Sequence, residues 1–200
     1  RLLDTLPDYH RKASMLDALC HAMESFWSLR ASPESRDYAR QAIELLLGVM
    51  DAYLRNDPAG NLGMLTAANL AGRAIDLTQT TAGHAMCYGL TGLYGLAHGH
   101  AAALCVRRLW PYMVRNVQKA THPQELENTF RALAEAMGCA SAEEAIGKYD
   151  RLLTALDLPA PRAQEKEYAV LLLTVNAQRL QNNPVPLDEA DIEGLYRQIL

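Results

Sequence analysis

Apolar residues recur at three- and four-residue spacing along nearly the whole chain. The segments 15–29, 38–54, 62–77, 81–94, 101–114, 123–137, 142–156, 165–180 and 188–200 all keep that spacing, which draws an apolar stripe down one face of a helix in each. No segment alternates apolar and polar residues long enough to compete as a half-buried strand. The breaks carry the residues that cap or stop helices: Ser32-Pro33-Glu34-Ser35, Asn56-Asp57-Pro58, Gly95, Asn116, Leu158-Pro159-Ala160-Pro161 and Asn182-Asn183-Pro184. The pattern predicts an all-α domain, a helical bundle of eight or nine helices forming one unit over residues 1–200. It contains no internal repeat, and the Pro159 to Pro161 stretch reads as a turn rather than a linker.

Composition narrows the partners. Half of the 200 residues are apolar, enough for a sizeable core in a single domain. The net charge of −4, from 19 basic and 23 acidic residues, comes with no basic stripe or block of like charge, which argues against nucleic acid and against a membrane surface. Apolar runs such as 168–173 are too short to span a bilayer, and the first residues lack the layout of a signal peptide. The sequence reads as a soluble protein. Its four cysteines, Cys20, Cys87, Cys105 and Cys139, are scattered, form no C-x-x-C pair and lie in apolar surroundings. Reduced thiols in a cytoplasmic protein are the simplest account.

Four residues carry candidate chemistry. Asp17 and His21 are spaced i, i+4, which sets both side chains on one helix face, one turn apart. His84 follows Thr80-Thr81-Ala82-Gly83 and His98 follows the Gly95 stop, so both fall near helix starts, where a side chain can project into a shared cleft. Three imidazoles and one carboxylate suit a divalent ion such as ferrous iron or zinc. A plainer reading stands beside this one, because an Asp-x-x-x-His pair is more often solvated or hydrogen-bonded than ligating. Cys20 and Cys87 read as core packing, and His10 and His122 as surface residues. Gly89, Gly92 and Gly95 recur every third residue within a helical segment and make a poor dinucleotide fingerprint.

The neighbours of these four residues carry a resemblance. Asp17-Ala18-Leu19-Cys20-His21-Ala22-Met23-Glu24 resembles the D-A-L-x-H-A-x-E segment of iron-containing alcohol dehydrogenases. His84, with His98-Gly99 fourteen positions on, resembles that family's second and third histidine ligands. Leu6-Pro7 looks like the family's entry to its C-terminal domain, and Asn183-Pro184-Val185-Pro186-Leu187 with Asp191-Ile192 looks like its closing segment. The resemblance implies the helical C-terminal domain of the dehydroquinate synthase-like, iron-containing alcohol dehydrogenase fold. It also implies that the natural C-terminus is present and that the N-terminal nucleotide-binding domain is absent from this chain. Asp17, His21, His84 and His98 then become the ligands of one divalent metal, Fe2+ by family or Zn2+, with NAD(P) bound by the missing domain.

By the same resemblance, the parent enzyme interconverts a small aldehyde and a primary alcohol, with the metal acting as a Lewis acid on the substrate oxygen. The piece alone is expected to be inactive. Glu24 either orients a ligand imidazole or is an exposed helix-surface carboxylate. Tyr88 stands where many family members carry a further histidine, and its phenol can hydrogen-bond a substrate oxygen. His100 reads as a supporting group rather than a ligand, since it lies two positions beyond His98. The run from Ala71 to Met86, with His98-Gly99-His100-Ala101, resembles the branch containing phosphonoacetaldehyde reductases. That implies an anionic substrate, with Arg73 and the helix start at 80–83 as its partners. Two other readings stay open, a catalytically inactive helical oligomerisation or binding module and a glycerol or polyol dehydrogenase-type domain. A homodimer is open too, because apolar periodicity describes a core and an interface alike.

Overall fold

A computed structural model describes residues 3–200. Ten helices follow one another: α1 (Asp8–Trp27), α2 (Pro33–Leu54), α3 (Pro58–Thr78), α4 (Ala82–Tyr94), α5 (His98–Arg115), α6 (Pro123–Ala136), α7 (Ala142–Leu156), α8 (Glu165–Leu173), α9 (Ala177–Leu180) and α10 (Glu189–Ile199), with a 3-10 turn at Val117–Lys119. The described residues include no strand, and none of their helices is long and apolar enough to cross a membrane.

Helix α1 is the axis of the bundle, packing against α2, α3 and α5. Thirteen of its twenty residues are buried, far more than the single stripe of a surface helix, so its partners must enclose it on several sides. Met15, Leu16, Leu19 and Met23 are fully buried, each worth about 1.5–3 kcal/mol of transfer free energy. Helix ends follow local chemistry. The side chains of Ser32, Asp57, Ser141 and Asp188 accept the orphan amides that open α2, α3, α7 and α10. Gly95, at φ 67°, closes α4 in the left-handed conformation.

Two boundaries depart from the periodic reading. Helix α1 begins at Asp8 rather than near residue 15 because Arg11, a charged residue in the sequence, is in fact buried. Its guanidinium donates to Tyr53 O (3.0 Å), Asn61 Oδ1 (2.6 Å) and Asn56 Oδ1 (2.7 Å). The segment 165–180 is not one helix but two, α8 and α9, which raises the count to ten instead of eight or nine. Asn176 marks the break by capping α9, accepting from the Arg179 amide at 3.0 Å, while the apolar residues on either side disguise it.

The approach of α5 to α1 positions the site. Gly99, in the first turn of α5, has no side chain, and a Cβ there would lie 2.0 Å from Ala13 O and 2.6 Å from Asp17 Cβ. Only glycine lets the start of α5 rest on the α1 backbone, and His98 is thereby carried to Asp17.

Candidate metal centre

Three helices bring the candidate residues together. Asp17 comes from the middle of α1, His84 from the first turn of α4 and His98 from the first residue of α5. One carboxylate oxygen of Asp17 and one ring nitrogen of each histidine lie within 4.8 Å of one another. Asp17 Oδ1 is 3.5 Å from His84 Nε2 and 4.0 Å from His98 Nε2. His21 stands beside this group of three: its ring stacks on His84 at 4.6 Å between centroids and 12° between planes, with Nδ1 3.9 Å from Asp17 Oδ2.

Glu24 lies behind His84 and is completely buried, not the exposed helix-surface carboxylate that its position on an amphipathic helix allowed. His84 Nδ1 donates to Glu24 Oε2. The Thr81 hydroxyl donates to Glu24 Oε1 at 2.7 Å, and the amides of Thr81 and His84 reach the carboxylate at 3.3 Å each. With Nδ1 engaged, His84 directs Nε2 toward Asp17. Both His84 Nε2 and Asp17 Oδ1 are buried without a hydrogen-bond partner. Buried polar atoms are rarely left so, and these two facing atoms, with the imidazoles of His98 and His21 alongside, are groups of the kind that hold a divalent cation. The residues therefore fit a metal, and the Glu24–His84 pair supplies the carboxylate support that ligating imidazoles commonly have.

The electrostatics agree with this arrangement. Burial alone would lower His84, but the Glu24 charge and the Asp17 and Glu24 contacts push it up to about 9. Burial alone would raise Asp17, but the His84 contact and the charges of His21, His84 and His98 hold it below the usual carboxylate range. His21 is pushed down to about 4, first by burial and then by the neighbouring His84 charge. His98 is lowered by burial.

The remaining sequence candidates separate. Tyr88 is half-buried and faces the group, its ring 5.6 Å from that of His98. His100 is buried but not part of it; its Nδ1 lies 3.2 Å from the Tyr9 hydroxyl, which also accepts the Ala97 amide at 2.9 Å. Cys20 packs in the core, 3.4 Å from the Tyr149 hydroxyl. Cys87 is buried as expected, yet its Sγ is also 3.6 Å from His98 Nδ1, so it borders the group as well as the core. All four cysteines are free thiols. His10 and His122 are exposed.

Arg73 is not placed for the role offered to it, and the 80–83 helix start is partly occupied. Arg73 lies on the exposed side of α3, its guanidinium 4.0 Å above the Tyr38 ring and bonded to the Tyr38 hydroxyl. Gly72 and Asp76, about 100° and 60° from it around the helix, face the cavity instead. At the start of α4, the amides of Thr81 and His84 are already engaged by Glu24.

Three residues were not singled out from the sequence. Thr81 left a signal, since Thr80-Thr81 before a helix is cap chemistry, although its partner proved to be Glu24. Tyr9 left none. Arg179, on the four-residue α9, left none either; it lines a cavity of about 440 Å3 together with His21, Asp76, Gln79, Thr80 and Gln178. Its guanidinium donates to Thr80 Oγ1 at 2.5 Å and lies 5.3 Å from the Tyr88 ring centroid.

Comparison with known proteins agrees with this picture. The sequence signature described as "Fe-containing alcohol dehydrogenase family, C-terminal" matches residues 12–200. Phosphonoacetaldehyde reductase of Streptomyces viridochromogenes is 32% identical over 188 residues, covering 90% of this chain and 47% of that protein. Long-chain-alcohol dehydrogenase 1 of Geobacillus thermodenitrificans is 28% identical, covering 98% and 51%. Among solved structures, sulfoacetaldehyde reductase from Bifidobacterium kashiwanohense in complex with NAD+ superposes with a TM-score of 0.83 at 23% identity, over 98% of this chain and 51% of that one. At that identity the likeness shows the fold. The chain spans about half the length of these relatives.

Proposed function

The chain belongs to the Fe-containing alcohol dehydrogenase family, matching its C-terminal domain, and on that premise we propose that it is the metal-holding half of a cytoplasmic NAD(P)-dependent aldehyde reductase. Asp17, His84 and His98, with His21, hold a divalent metal, Fe2+ by family. The observation that carries this is the pair of buried, partnerless atoms, Asp17 Oδ1 and His84 Nε2, facing each other 3.5 Å apart.

The bound cation would supply Lewis acidity to an aldehyde or alcohol oxygen. The chain's own residues do the rest. Glu24 fixes the orientation of the His84 ring, so that Nε2 faces Asp17, where a cation would take the place of its proton. Tyr88, beside His98, offers a phenol to the substrate oxygen; burial raises it further above neutral, so it stays protonated and able to donate. Buried Cys87 is raised well above neutral by burial and remains a thiol. The hydride comes from a nicotinamide, which a separate nucleotide-binding domain would hold. The substrate is a short aldehyde carrying an anionic group, which accords with the phosphonoacetaldehyde and sulfoacetaldehyde reductases among the relatives.

An inactive helical module is not favoured, because packing alone gives no reason to bury two unpaired polar atoms face to face. A polyol dehydrogenase would keep the same ligands and differ in substrate. The test is metal analysis of the chain reconstituted anaerobically with Fe2+ or Zn2+, beside His84→Ala and His98→Ala. About one metal per chain, lost from both variants, is the expected result. A folded chain that takes up neither metal refutes the proposal.

A further inference from the structure

The cavity that opens beside His21 holds one fixed cation, Arg179, among its lining residues. Helix α9, which carries it, is far too short to hold itself together, yet it is fastened on both sides. Before it, the Asn176 amide donates to Ala85 O of α4 at 3.1 Å, and the Asn176 side chain caps the helix at Arg179 N. After it, Asn182 Nδ2 donates to Thr78 O at 2.8 Å and to Thr80 O at 3.2 Å. These bonds tie α9 to the connection between α3 and α4, one turn from His84. A long, mobile side chain is thereby held over one place in the fold, and ordering cost is met before any ligand arrives.

The charge is not spent within the protein. Arg107, Arg197 and Arg40 all pair with carboxylates, whereas no carboxylate among the described residues lies within 4.0 Å of Arg179. Its partners are the Thr80 hydroxyl and the face of Tyr88, which together use little of a planar fork built to bind oxyanions at two points. Tyr88 in turn borders His98, so a path of two contacts leads from the guanidinium to the ligand cluster. Asp76, the acidic residue of the lining, is exposed and screened by water, while Arg179 is half-buried.

We infer that Arg179 is the specificity-determining residue of this site, binding the terminal oxyanion of a short aldehyde whose carbonyl end lies at the Asp17–His84–His98 cluster. The inference rests on the aldehyde-reductase reading above and names the group that selects the substrate, a role that Arg73 is turned away from. Phosphonate, sulfonate and carboxylate share the chemistry required, and the arms of the test separate them.

Two measurements decide it. The first is binding of methylphosphonate, methanesulfonate and acetate to the chain by NMR titration, with Arg179→Gln, Arg179→Lys and Arg73→Ala. Saturable binding of at least one of the three is expected, weakened about 10- to 100-fold in Arg179→Gln, which is the loss a charge-assisted hydrogen bond carries. It should be partly kept in Arg179→Lys and unchanged in Arg73→Ala. The second is steady-state kinetics of the full-length enzyme with phosphonoacetaldehyde, sulfoacetaldehyde and succinic semialdehyde against propanal and butanal. Arg179→Gln should lower kcat/KM for the preferred anionic aldehyde by a similar factor, mainly through KM, and leave the neutral aldehydes within about threefold, the neutral rates also reporting that the variant folds. Equal binding by wild type and Arg179→Gln, or equal losses on anionic and neutral aldehydes, overturns the role of Arg179 while leaving the reductase reading in place. A metal-loaded full-length enzyme that reduces none of the five aldehydes overturns both.

Discussion

Replacing Gly99 with alanine tests the geometry on which the site depends. The added methyl would lie 2.0 Å from Ala13 O, 2.6 Å from Asp17 Cβ and 2.8 Å from Asp17 N. Carbon atoms rest about 3.5–4.0 Å apart, so α5 must retreat from α1 by roughly 1 Å or more, and two of the three obstructing atoms are backbone that no rotamer change can clear. Overpacking of this kind costs about 1–3 kcal/mol, or roughly 2–12 °C in melting temperature for a chain of this size. Metal binding suffers separately. Asp17 and His98 sit on the two surfaces being pushed apart, and metal sites tolerate only about 0.2 Å of error in ligand distance. Calorimetric melting, with and without metal, and competition against a chromophoric chelator should show both losses, with affinity down at least about tenfold. Gly92→Ala is the control: no atom lies within 4 Å of its added Cβ, and it should stabilise α4 by about 0.5–1 kcal/mol. Wild-type melting and affinity in Gly99→Ala would refute the close approach of α5 to α1.

Other outcomes follow from the same contacts. Glu24→Gln keeps the shape but removes the charge behind His84, and metal affinity should fall about 10- to 100-fold; unchanged affinity in a chelator competition would remove the orienting role. His84, held at about 9, is protonated at neutral pH, and only neutral imidazole ligates, so metal uptake at pH 7 should release about one proton and apparent affinity should rise about tenfold per pH unit up to 9. His21, pushed down to about 4, is already neutral there and contributes no proton. Calorimetric titration in two buffers of different ionisation enthalpy counts the protons, and zero would contradict the assignment. Arg11→Met leaves the buried Asn61 Oδ1 without its donor, while Tyr53 O keeps the Asn56 amide and Asn56 Oδ1 keeps Asn61 Nδ2, and should cost about 1–3 kcal/mol for the one group left unpaired; an unchanged melting temperature would sink this account of the α1 start.

The sequence carried the helices because periodicity is a local property, and it failed where a local rule met a long-range partner. Arg11 looks like a surface charge until Asn56, from the turn between α2 and α3, and Asn61, from the first turn of α3, arrive. Glu24 looked as much like an exposed carboxylate as a buried one, since the residues that bury it, Thr81 and His84, lie nearly sixty positions away. Asp17, His21, His84 and His98 were singled out through their sequence context, but the distances that gather Asp17, His84 and His98 were not legible, and neither was the stacking of His21 on His84. Arg73 seemed the natural anion partner because it is near His84 in sequence. The fold instead leaves it on the exposed side of α3, laid over Tyr38, and brings Arg179 to the cavity from the far end of the chain.

Trp27 donates its indole N–H to Thr81 Oγ1 at 2.9 Å, and Thr81 in turn donates to Glu24, the carboxylate that holds His84. The other of the chain's two tryptophans, Trp110, lies 6.1 Å from it, ring centre to ring centre. Trp27 thus sits at one end of a short hydrogen-bonded line that ends on the ring of His84, with Trp110 beside it. A cation drawn to His84 Nε2 would pull on that line, so filling the cleft should change the protein's own ultraviolet emission, a signal that needs no label or coupled assay.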